Sequence, residues 1–432
     1  MSLTEFALKE HLMSWKPIGN AFVFSAHSVG DPVPVGEVAM HGSGFVFRYA
    51  NSWLARPNAF AIDPLNLPLT GNQYSTARMF GVLDDATPDN WGRRVLLATH
   101  KQHPQNDIEW LLASRGAGVG CLLFSASRNQ LPSLHQPPQF EDLEKIMVGL
   151  DQVEKGDVDL PPEITRLFEF GSSMGGARPK VTVAHESKEW IAKLGRSDDV
   201  FDQPRAEFAS LQMAKAAGLP AAGHKLVEVA GKPVLMVERF DRHEGTGREH
   251  YVSWNTLVSA EKPRMRVGAV DGAVSYSKIA DVLKKVSDDA TFDMRELYRR
   301  MAFNVLIGNS DDHLKQGGVL LTSTTGYCLA PVFDVLPHPT QLGLQALIIG
   351  NEGRVSSISN LLSTPERFGL GMDEAKSIVT DVYAVVREAA GFFEAAGCSG
   401  ADVSMLAKVC TRFESELMTR PRNAPSSGPR LG

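Results

Sequence analysis

Residues 303–322, with the sequence FNVLIGNSDDHLKQGGVLLT, decide how this chain is organised. Upstream of them, Asp293 and Glu296 have capping-box spacing within an apolar pattern of helical period, which predicts a helix. Gly308 is expected to end this helix, and the polar residues 309–316, called the acidic loop below, follow it. Because loops held by rigid elements often carry catalytic groups, the acidic loop is the first candidate for a functional site.

Beyond the acidic loop, the sequence predicts a hairpin of two short strands and then a second isolated carboxylate. This order is the local layout of a kinase catalytic centre. Phosphoryl transfer needs a carboxylate that accepts a proton from the attacking hydroxyl, a cation for the developing charge, and oxygen ligands for Mg²⁺. Residues of these types are Asp311 as the base, Lys315 as the cation, and Gln316 with Asp334 as the metal ligands.

A simpler interpretation is that Ser310, Asp311 and Asp312 form a capped turn between a helix and a strand. That interpretation gives no role to Lys315 at its fixed offset, or to Asp334. On these residues alone both interpretations stay open.

Composition sets the class of protein. The chain has 432 residues, 43% hydrophobic and 22% charged, which is typical of a soluble globular protein of two or three domains. A net charge of -6 argues against unaided binding to duplex nucleic acid. The four cysteines lie far apart and indicate neither a disulfide framework nor a zinc site. Charged residues near the start and the lack of a long apolar run predict a cytoplasmic protein.

Residues 1–150 are predicted to form a separate α/β domain. Its expected elements are strands at residues 35–38 and 45–49, a helix over residues 88–97 capped by Thr87, and a Gly-rich turn leading into a strand within residues 116–124. Asp84, Asp85 and Asp89 are compatible with a metal site, but a turn and helix N-terminal acids explain them as well. The Pro-rich and acidic residues 131–162 are expected to form a linker.

Residues 151–245 are predicted to contain a nucleotide-binding sheet. A small-residue loop over residues 171–180 leads into a hairpin with strands at residues 181–184 and 190–194. Glycines allow backbone N–H groups to approach phosphate oxygens, and Arg178 and Lys180 add positive charge. Lys193 lies in an apolar strand, and a helix over residues 204–217 offers Glu207 as its partner. A strand Lys paired with a helix Glu positions phosphates in kinases. The alternative places Lys193 on a solvated strand face.

A second hairpin, residues 224–229 and 234–238, ends in the sequence ERFDR. As the connector between two kinase lobes, this stretch would contact adenine through its backbone, with Phe240 near the base and Asp241 at the ribose hydroxyls. The alternative for Arg239, Asp241 and Arg242 is a surface ion-pair cluster.

Residues 246–418 are predicted to be mainly helical. Helices are expected at residues 277–286, 293–307, 373–390 and 401–417. The last carries an apolar stripe, expected to be core, of Val403, Leu406, Cys410, Phe413 and Leu417. The Pro-, Ser- and Gly-rich residues 419–432 are expected to be disordered.

At five places the sequence resembles the HipA-type serine/threonine kinases, the toxins of bacterial type II toxin–antitoxin systems. The matching stretches are SMGGARPK at residues 173–180, AKL around Lys193, VERFDR at 237–242, IGNSDDHLKQ at 307–316 and PVFD at 331–334. FGVLDDATPDN and the residues 116–124 are similar to the N-terminal part of that family. The order and spacing of these motifs cover nearly the whole chain.

The resemblance implies an α+β, two-lobed protein-kinase-like fold related to phosphoinositide kinases, with an extra N-terminal domain and a helical C-terminal lobe. It implies ATP and Mg²⁺ as cofactors, Asp311 as the base, and Gln316 and Asp334 on the metal. The implied nucleotide contacts are Gly175, Gly176, Ala177, Arg178, Pro179, Lys180, Lys193, Glu238, Phe240 and His313, to which we add Asp241 and Phe333.

Regulation and partners are implied in the same way. Ser173 is the expected autophosphorylation site, with Ser172 as its rival, and phosphorylation is expected to inactivate the kinase. The expected partners are a DNA-binding HipB-type antitoxin, which supplies the only contact with DNA, and a protein substrate such as an aminoacyl-tRNA synthetase.

Two departures from the family pattern stand out. Gln316 occupies a position that is usually Asn, and Arg178 with Pro179 replace the more usual Gln and Glu. Gln316 is the best argument for a second interpretation, a pseudokinase that acts as a co-repressor with the antitoxin. A metal-dependent phosphohydrolase built on Asp311, Asp312 and His313 is a third interpretation, and it lacks further metal ligands.

Overall fold

The computed structural model describes residues 18–88, 90–99, 103–132, 136–155, 161, 164–165, 167–168, 178–243, 247–258 and 274–418. Ser172, Ser173, Gly175, Gly176 and Ala177, as well as the predicted disordered tail, lie outside the described residues. The chain divides into two compact units. The first unit is Met1–Arg196, Ala222–Arg264 and Gly317–Ala330, and the second unit is Ser197–Ala221, Met265–Gln316 and Pro331–Gly432. The domain boundaries expected near residues 150 and 245 stay predictions.

Twelve strands and fourteen helices are assigned within the described residues. The strands are β1 Asn20–Ser25, β2 Val33–His41, β3 Gly44–Tyr49, β4 Gln73–Thr76, β5 Leu122–Ser125, β6 Lys180–His185, β7 Lys188–Leu194, β8 His224–Val229, β9 Lys232–Glu238, β10 Tyr251–Ser253, β11 Gly318–Leu321 and β12 Tyr327–Leu329. The helices are α1 Asn51–Leu54, α2 Gly81–Asp85, α3 Asn90–Thr99, α4 Asp107–Ala113, α5 Leu143–Lys155, α6 Gln203–Ala216, α7 Trp254–Val258, α8 Tyr276–Val286, α9 Ala290–Ile307, α10 Ile358–Leu361, α11 Met372–Val386, α12 Ala389–Ala395, α13 Gly400–Cys410 and α14 Glu414–Met418.

The first unit begins with a five-stranded antiparallel sheet in the order β4-β3-β2-β1-β5. The two strands predicted here are confirmed as β2 and β3, each somewhat longer than expected. Gly44 allows β4 to pair with β3, because a Cβ at this position would lie 2.3 Å from the Thr76 carbonyl oxygen. The strand predicted at the end of residues 116–124 is confirmed as β5.

A second sheet in the first unit has the order β6-β7-β9-β8. Both predicted hairpins are present, and each turns through two residues of positive φ, Glu186 (51°) with Ser187 (62°) and Ala230 (50°) with Gly231 (72°). Two-residue turns of this type match the right-handed twist of antiparallel strands. One face of the sheet packs on helices α3 and α5 through buried residues that include Val181, Ala192, Met236, Trp91 and Leu143.

The hairpin predicted after the acidic loop is confirmed as β11 and β12. A third strand, β10, pairs with β11 to give the order β10-β11-β12. The sequence pattern did not indicate β10, because three residues are too few to show an alternation.

The second unit is built on helix α9, and its start differs from the prediction. The N-cap is Asp289, whose carboxylate accepts a hydrogen bond from the Phe292 N–H at 3.0 Å. Asp293 instead lies one turn inside the helix, where it accepts a hydrogen bond from Ser287 Oγ at 2.6 Å, and Glu296 pairs with Arg300 at 3.1 Å. The capping box predicted at Asp293 and Glu296 is therefore wrong.

The end of α9 is as predicted, because Gly308 has a left-handed φ of 81°.

Two other predicted helices are each interrupted. Residues 373–390 divide between α11 and α12, and residues 401–417 divide between α13 and α14. Four members of the predicted apolar stripe, Val403, Leu406, Cys410 and Phe413, are buried in the core. None of the helices assigned in the described parts of the chain is long and apolar enough to cross a membrane.

Candidate active site

The acidic loop presents Asp311 to solvent while its backbone is held. Asp311 is exposed, and the carbonyl of the preceding residue, Ser310, accepts a hydrogen bond from the Ala346 N–H at 2.8 Å. Further along the loop, the Gln316 N–H donates to the His313 carbonyl at 2.8 Å. An accessible carboxylate on a fixed loop is what a general base requires.

Asp312, the next residue, faces the interior. Its carboxylate accepts hydrogen bonds from the Tyr276 hydroxyl and from Asn304 Nδ2, the latter at 2.7 Å. Asn304 Oδ1 in turn accepts from Asn309 Nδ2 at 3.0 Å. Burial raises the pKa of Asp312 to about 6, and the hydrogen bond from Tyr276 lowers it in part.

The sequence reasoning missed Tyr276, Asn304 and Asn309. One signal was present, because Asn304 is a lone amide in the apolar end of α9 and is 6% exposed. A buried amide in such a place normally has a hydrogen-bonding role. Tyr276 gave no comparable signal, since the contact joins residues 36 positions apart.

The two predicted metal ligands are in contact. Gln316 Nε2 donates to Asp334 Oδ2 at 3.1 Å, so the longer amide reaches the carboxylate. Asp334 has a positive φ of 58°, which is uncommon for a residue other than glycine and often occurs at functional sites. Gln316 Oε1 is buried and finds no hydrogen-bond partner among the described residues.

These two side chains fit Mg²⁺. The unpartnered amide oxygen and the carboxylate are hard oxygen donors, the type that Mg²⁺ prefers, and Mg²⁺ is usually held by one or two protein groups together with phosphates and water. Among the described residues, no group of three or more His, Cys, Asp or Glu side chains is arranged to hold a metal ion. A site completed by a nucleotide therefore suits Gln316 and Asp334 better than a site made by protein alone.

In the first unit, Lys180 and Lys193 lie directly opposite each other on β6 and β7. Lys180 is buried and Lys193 is partly buried. Directly opposed residues of an antiparallel pair project from the same face, and like charges in that arrangement are destabilising. This register makes the two lysines candidates for contact with an anionic ligand. Glu207 is buried on α6, in the second unit, and its pairing with Lys193 stays a prediction.

The connector after β9 makes contacts within the first unit through Glu238 and Phe240. The Glu238 carboxylate pairs with Lys188 at 2.7 Å, and its N–H donates to the Gly223 carbonyl at 2.6 Å. Phe240 is partly buried, with its ring centroid 6.0 Å from that of Tyr251.

Asp241 does not fit the role expected of it. It is 2% exposed, and its carboxylate accepts hydrogen bonds from Arg239, from Arg242 and from the Gly120 N–H at 2.7 to 3.0 Å. The two nearby arginines hold the pKa of Asp241 well below its usual range, although burial opposes them. A carboxylate engaged in this way is not available to ribose hydroxyls.

We call Arg239, Asp241, Arg242 and Arg248 the arginine cluster. Its arginines donate to the carbonyls of Ala117, Gly118, Gly120 and Gly116. The cluster is buried, so the expected surface ion-pair cluster is wrong in location. It fastens the Gly-rich turn before β5 to the connector after β9 within the first unit.

The remaining predicted site residues have mixed surroundings. The Lys315 side chain is exposed. The Lys315 backbone N–H donates to His313 Nδ1 at 3.2 Å, which leaves Nε2 of a neutral imidazole as a donor. Phe333 is partly buried and follows Val332, whose N–H donates to the Pro220 carbonyl at 2.7 Å. The Pro179 carbonyl accepts from the Leu194 N–H at 3.2 Å, and Arg178 is partly buried.

Comparison with known proteins identifies the family of this chain. The family described as HipA-like C-terminal domain matches residues 172–390, and the HipA N-terminal domain matches residues 29–125. The fold is that of a kinase-like protein with an additional N-terminal domain. The chain belongs to the HipA family of kinases, which confirms the resemblance found in the sequence and the predicted fold class.

Similar proteins include a putative kinase, Y4mE, from Sinorhizobium fredii. It is 24% identical over 319 residues, which cover 70% of this chain and 74% of that protein. The serine/threonine-protein kinase toxin HipA of Shewanella oneidensis is 21% identical over 327 residues, covering 70% and 72%. The solved complex of Shewanella oneidensis HipA, HipB and operator DNA contains a chain with a similar fold, with a TM-score of 0.69 and 18% identity, covering 92% of this chain and 99% of that one.

Proposed function

We propose that this protein is an ATP- and Mg²⁺-dependent serine/threonine protein kinase and the toxin of a type II toxin–antitoxin system. One observation carries the proposal. The acidic loop offers an exposed carboxylate, Asp311, while the end of the same loop joins Gln316 to Asp334, leaving a buried amide oxygen without a partner among the described residues. A base beside an incomplete oxygen site suits phosphoryl transfer from a metal-bound nucleotide.

Each residue has a distinct task in this proposal. Asp311 orients the attacking hydroxyl of the substrate and accepts its proton. Lys315 places its ammonium group near the charge that develops during transfer. Gln316 Oε1 and the Asp334 carboxylate hold the ion. Mg²⁺-ATP supplies the transferable phosphoryl group and partly neutralises its charge.

The nucleotide is held mainly by residues of the first unit. The opposed lysines Lys180 and Lys193 are proposed phosphate contacts, and Glu238 and Phe240 lie on the connector expected to contact adenine. Further proposed contacts are Gly175, Gly176, Ala177, Arg178, Pro179, His313 and Phe333. Family membership is the reason for proposing each of these residues as a nucleotide contact.

Self-inactivation is proposed at Ser173. Phosphate there adds about -1.5 to -2 charge beside a loop that must accept the phosphates of ATP. Ser173→Ala is expected to lose most self-phosphorylation and still bind ATP, whereas Ser173→Asp is expected to bind ATP poorly. Phosphate mapped by mass spectrometry to Ser172 alone would overturn this assignment.

The proposed partners are a HipB-type antitoxin, with DNA contacted only through it, and a protein substrate, with aminoacyl-tRNA synthetases as the first class to test. The similar Shewanella oneidensis chain was solved together with HipB and operator DNA, which supports this choice of partner.

Incubation of the purified full chain with Mg²⁺ and [γ-³²P]ATP tests the function. Wild type should label itself or an added protein, Asp311→Asn should not, and Asp288→Asn should behave as wild type, because Asp288 is an exposed carboxylate in the turn before α9. ATP binding without transfer would instead favour the pseudokinase co-repressor. Release of phosphate from model esters without ATP would favour the phosphohydrolase.

A further inference from the structure

The acidic loop is fixed on both sides of Asp311, by two different segments of the second unit. On one side the Ser310 carbonyl accepts from the Ala346 N–H at 2.8 Å. On the other side the Asp312 carboxylate accepts from the Tyr276 hydroxyl and from Asn304 Nδ2. Asp311 itself is exposed. The direction of Asp311 therefore depends on how firmly its two neighbours are held.

The Tyr276 hydroxyl comes from a rigid support. Tyr276 is 2% exposed and lies in the first turn of α8, whose N-cap Ser275 accepts from the Lys278 N–H at 3.0 Å. The Tyr276 N–H donates to the Ile348 carbonyl at 3.1 Å, and the Ile348 N–H donates to the Val274 carbonyl at 3.0 Å. Because the ring and its backbone are both fixed, the hydroxyl has one position from which to hold Asp312.

The two adjacent carboxylates have opposite surroundings. Partial burial of a carboxylate in a turn costs free energy, because hydrogen bonds must offset its desolvation. At Asp312 the donors are neutral, a hydroxyl and an amide, which turn this side chain inward. Of the two adjacent aspartates, Asp311 therefore faces outward and Asp312 faces inward, and the hydrogen-bond partners of Asp312 set this difference.

We propose that Tyr276 and Asp312 are a positioning pair that directs Asp311 towards the substrate hydroxyl, a role that rests on the kinase function proposed above. Neither residue touches ATP or substrate in this role. The pair acts through the backbone of the acidic loop, so its loss lowers the rate of transfer and leaves nucleotide binding unchanged.

Tyr276→Phe is the direct test, because it removes one hydroxyl and keeps the buried ring. Tyr298→Phe is the matched control. Tyr298 is also buried in the second unit, and its hydroxyl donates one hydrogen bond, to the Leu361 carbonyl at 2.9 Å. Each substitution removes one buried bond that the hydroxyl donates, and Tyr276→Phe also removes the longer bond from Asn304 Nδ2 at 3.3 Å. Only Tyr276 adjoins the acidic loop.

Transfer to protein, the KM for ATP and hydrogen exchange are measured for both variants. Tyr276→Phe should lower kcat 10- to 100-fold, with the KM for ATP within about twofold of wild type, as expected when a distant positioning contact is lost. Tyr298→Phe should keep the wild-type kcat even if its melting temperature falls by as much as that of Tyr276→Phe. Asp312→Ala should lower kcat as Tyr276→Phe does, and the double variant should be little slower than either single variant. Asp312→Asn should be faster than Asp312→Ala.

Hydrogen exchange separates this inference from the kinase proposal. The Ala346 amide, bonded to Ser310, should exchange faster in Tyr276→Phe than in Tyr298→Phe, whether or not the protein transfers phosphate. Unchanged exchange, or a kcat in Tyr276→Phe no lower than in Tyr298→Phe, would overturn the positioning pair. A wild-type protein that binds ATP without transfer would overturn the kinase function instead, while the exchange result still decides whether the pair holds the loop.

Discussion

Two aspartates that turn away from solvent, Asp241 and Asp312, are held by opposite kinds of partner. Asp241, in the first unit, accepts from two arginines and a backbone N–H, and the arginines hold its pKa well below the usual range although burial opposes them. Asp312, in the second unit, accepts from a hydroxyl and an amide, and burial raises its pKa to about 6.

These different partners indicate different roles. Asp241 joins two segments of the first unit, whereas Asp312 positions a loop. Charged donors make a strong, permanently ionised contact, so Asp241 suits a joint that must not change. Neutral donors leave the charge of Asp312 only partly compensated, and the contact can respond to its surroundings. The exposed Asp311 is a third case, because it has no structural duty to compete with proton transfer.

The largest expected effect distinguishes Asp311 from the buried Asp241 and the partly buried Asp312. Asp311→Asn should lower phosphoryl transfer by about 10³-fold or more and keep ATP affinity within a few-fold, because general-base catalysis contributes on the order of 10² to 10⁴ in rate. Steady-state transfer and nucleotide titration measure the two quantities, with Asp288→Asn as the control. Near wild-type transfer by Asp311→Asn would show that another group is the base.

Removing the charge of Asp241 should damage the fold rather than the chemistry. Asp241→Asn removes the nearer carboxylate partner of two buried arginines and leaves them only Glu189, at 3.4 to 3.5 Å, so we expect the first unit to lose roughly 3 to 5 kcal/mol of stability. Urea unfolding measures this loss. Asp281→Asn, which breaks an exposed pair with Arg367 in the second unit, should cost under about 1 kcal/mol. Equal losses in the two variants would show that the arginine cluster is not a structural joint.

The metal ligands are expected to give an intermediate effect. Asp334→Asn should raise the Mg²⁺ concentration for half-maximal transfer about tenfold, because it removes a charged ligand. Gln316→Asn should preserve or raise activity and lower the Mg²⁺ requirement, if the shorter amide suits the site better. Titration of Mg²⁺ at saturating ATP measures both. If Gln316→Ala titrated like wild type, Gln316 would not be a ligand.

Features encoded by neighbouring residues were predictable from the sequence. The hairpins carry their own turn residues, Gly308 ends α9, and the acidic loop contains its chemistry within eight positions. The start of α9 was less predictable, since Asp288, Asp289 and Asp293 all suit an N-cap and the choice depends on the surrounding turn.

Contacts between distant residues were not predictable. Asp241 meets Gly120 across 121 positions, and Tyr276 meets Asp312 across 36, so neither partner is marked by local periodicity or spacing. The position of Asp241 on the connector after β9 suggested a ligand contact, whereas its carboxylate binds Arg239 and Arg242. Charge pattern alone does not distinguish a buried joint from an exposed site.

The smallest expected effect is a difference in the pH dependence of stability between Asp241 and Asp312. The pKa of Asp312 is about 6 in the folded protein, above its unfolded value of about 3.9, so the folded state binds the proton more tightly. Stability contributed by this group is present below about pH 4 and is lost as pH rises through 6. For Asp241 the folded pKa is lowered, so its contribution is present above the unfolded pKa and is lost as pH falls.

Urea midpoints of wild type and Asp312→Asn, compared from pH 4 to 7.5, measure this slope. The difference in unfolding free energy between wild type and Asp312→Asn should change by about 1 kcal/mol from pH 4 to 7.5, in the direction that disfavours wild type at the higher pH. This figure allows for the partial solvent access of Asp312. The same comparison with Asp241→Asn should be flat above pH 5. A flat Asp312 curve would mean that its hydroxyl and amide donors compensate the charge as fully as the arginines compensate Asp241, and the contrast between the two sites would disappear.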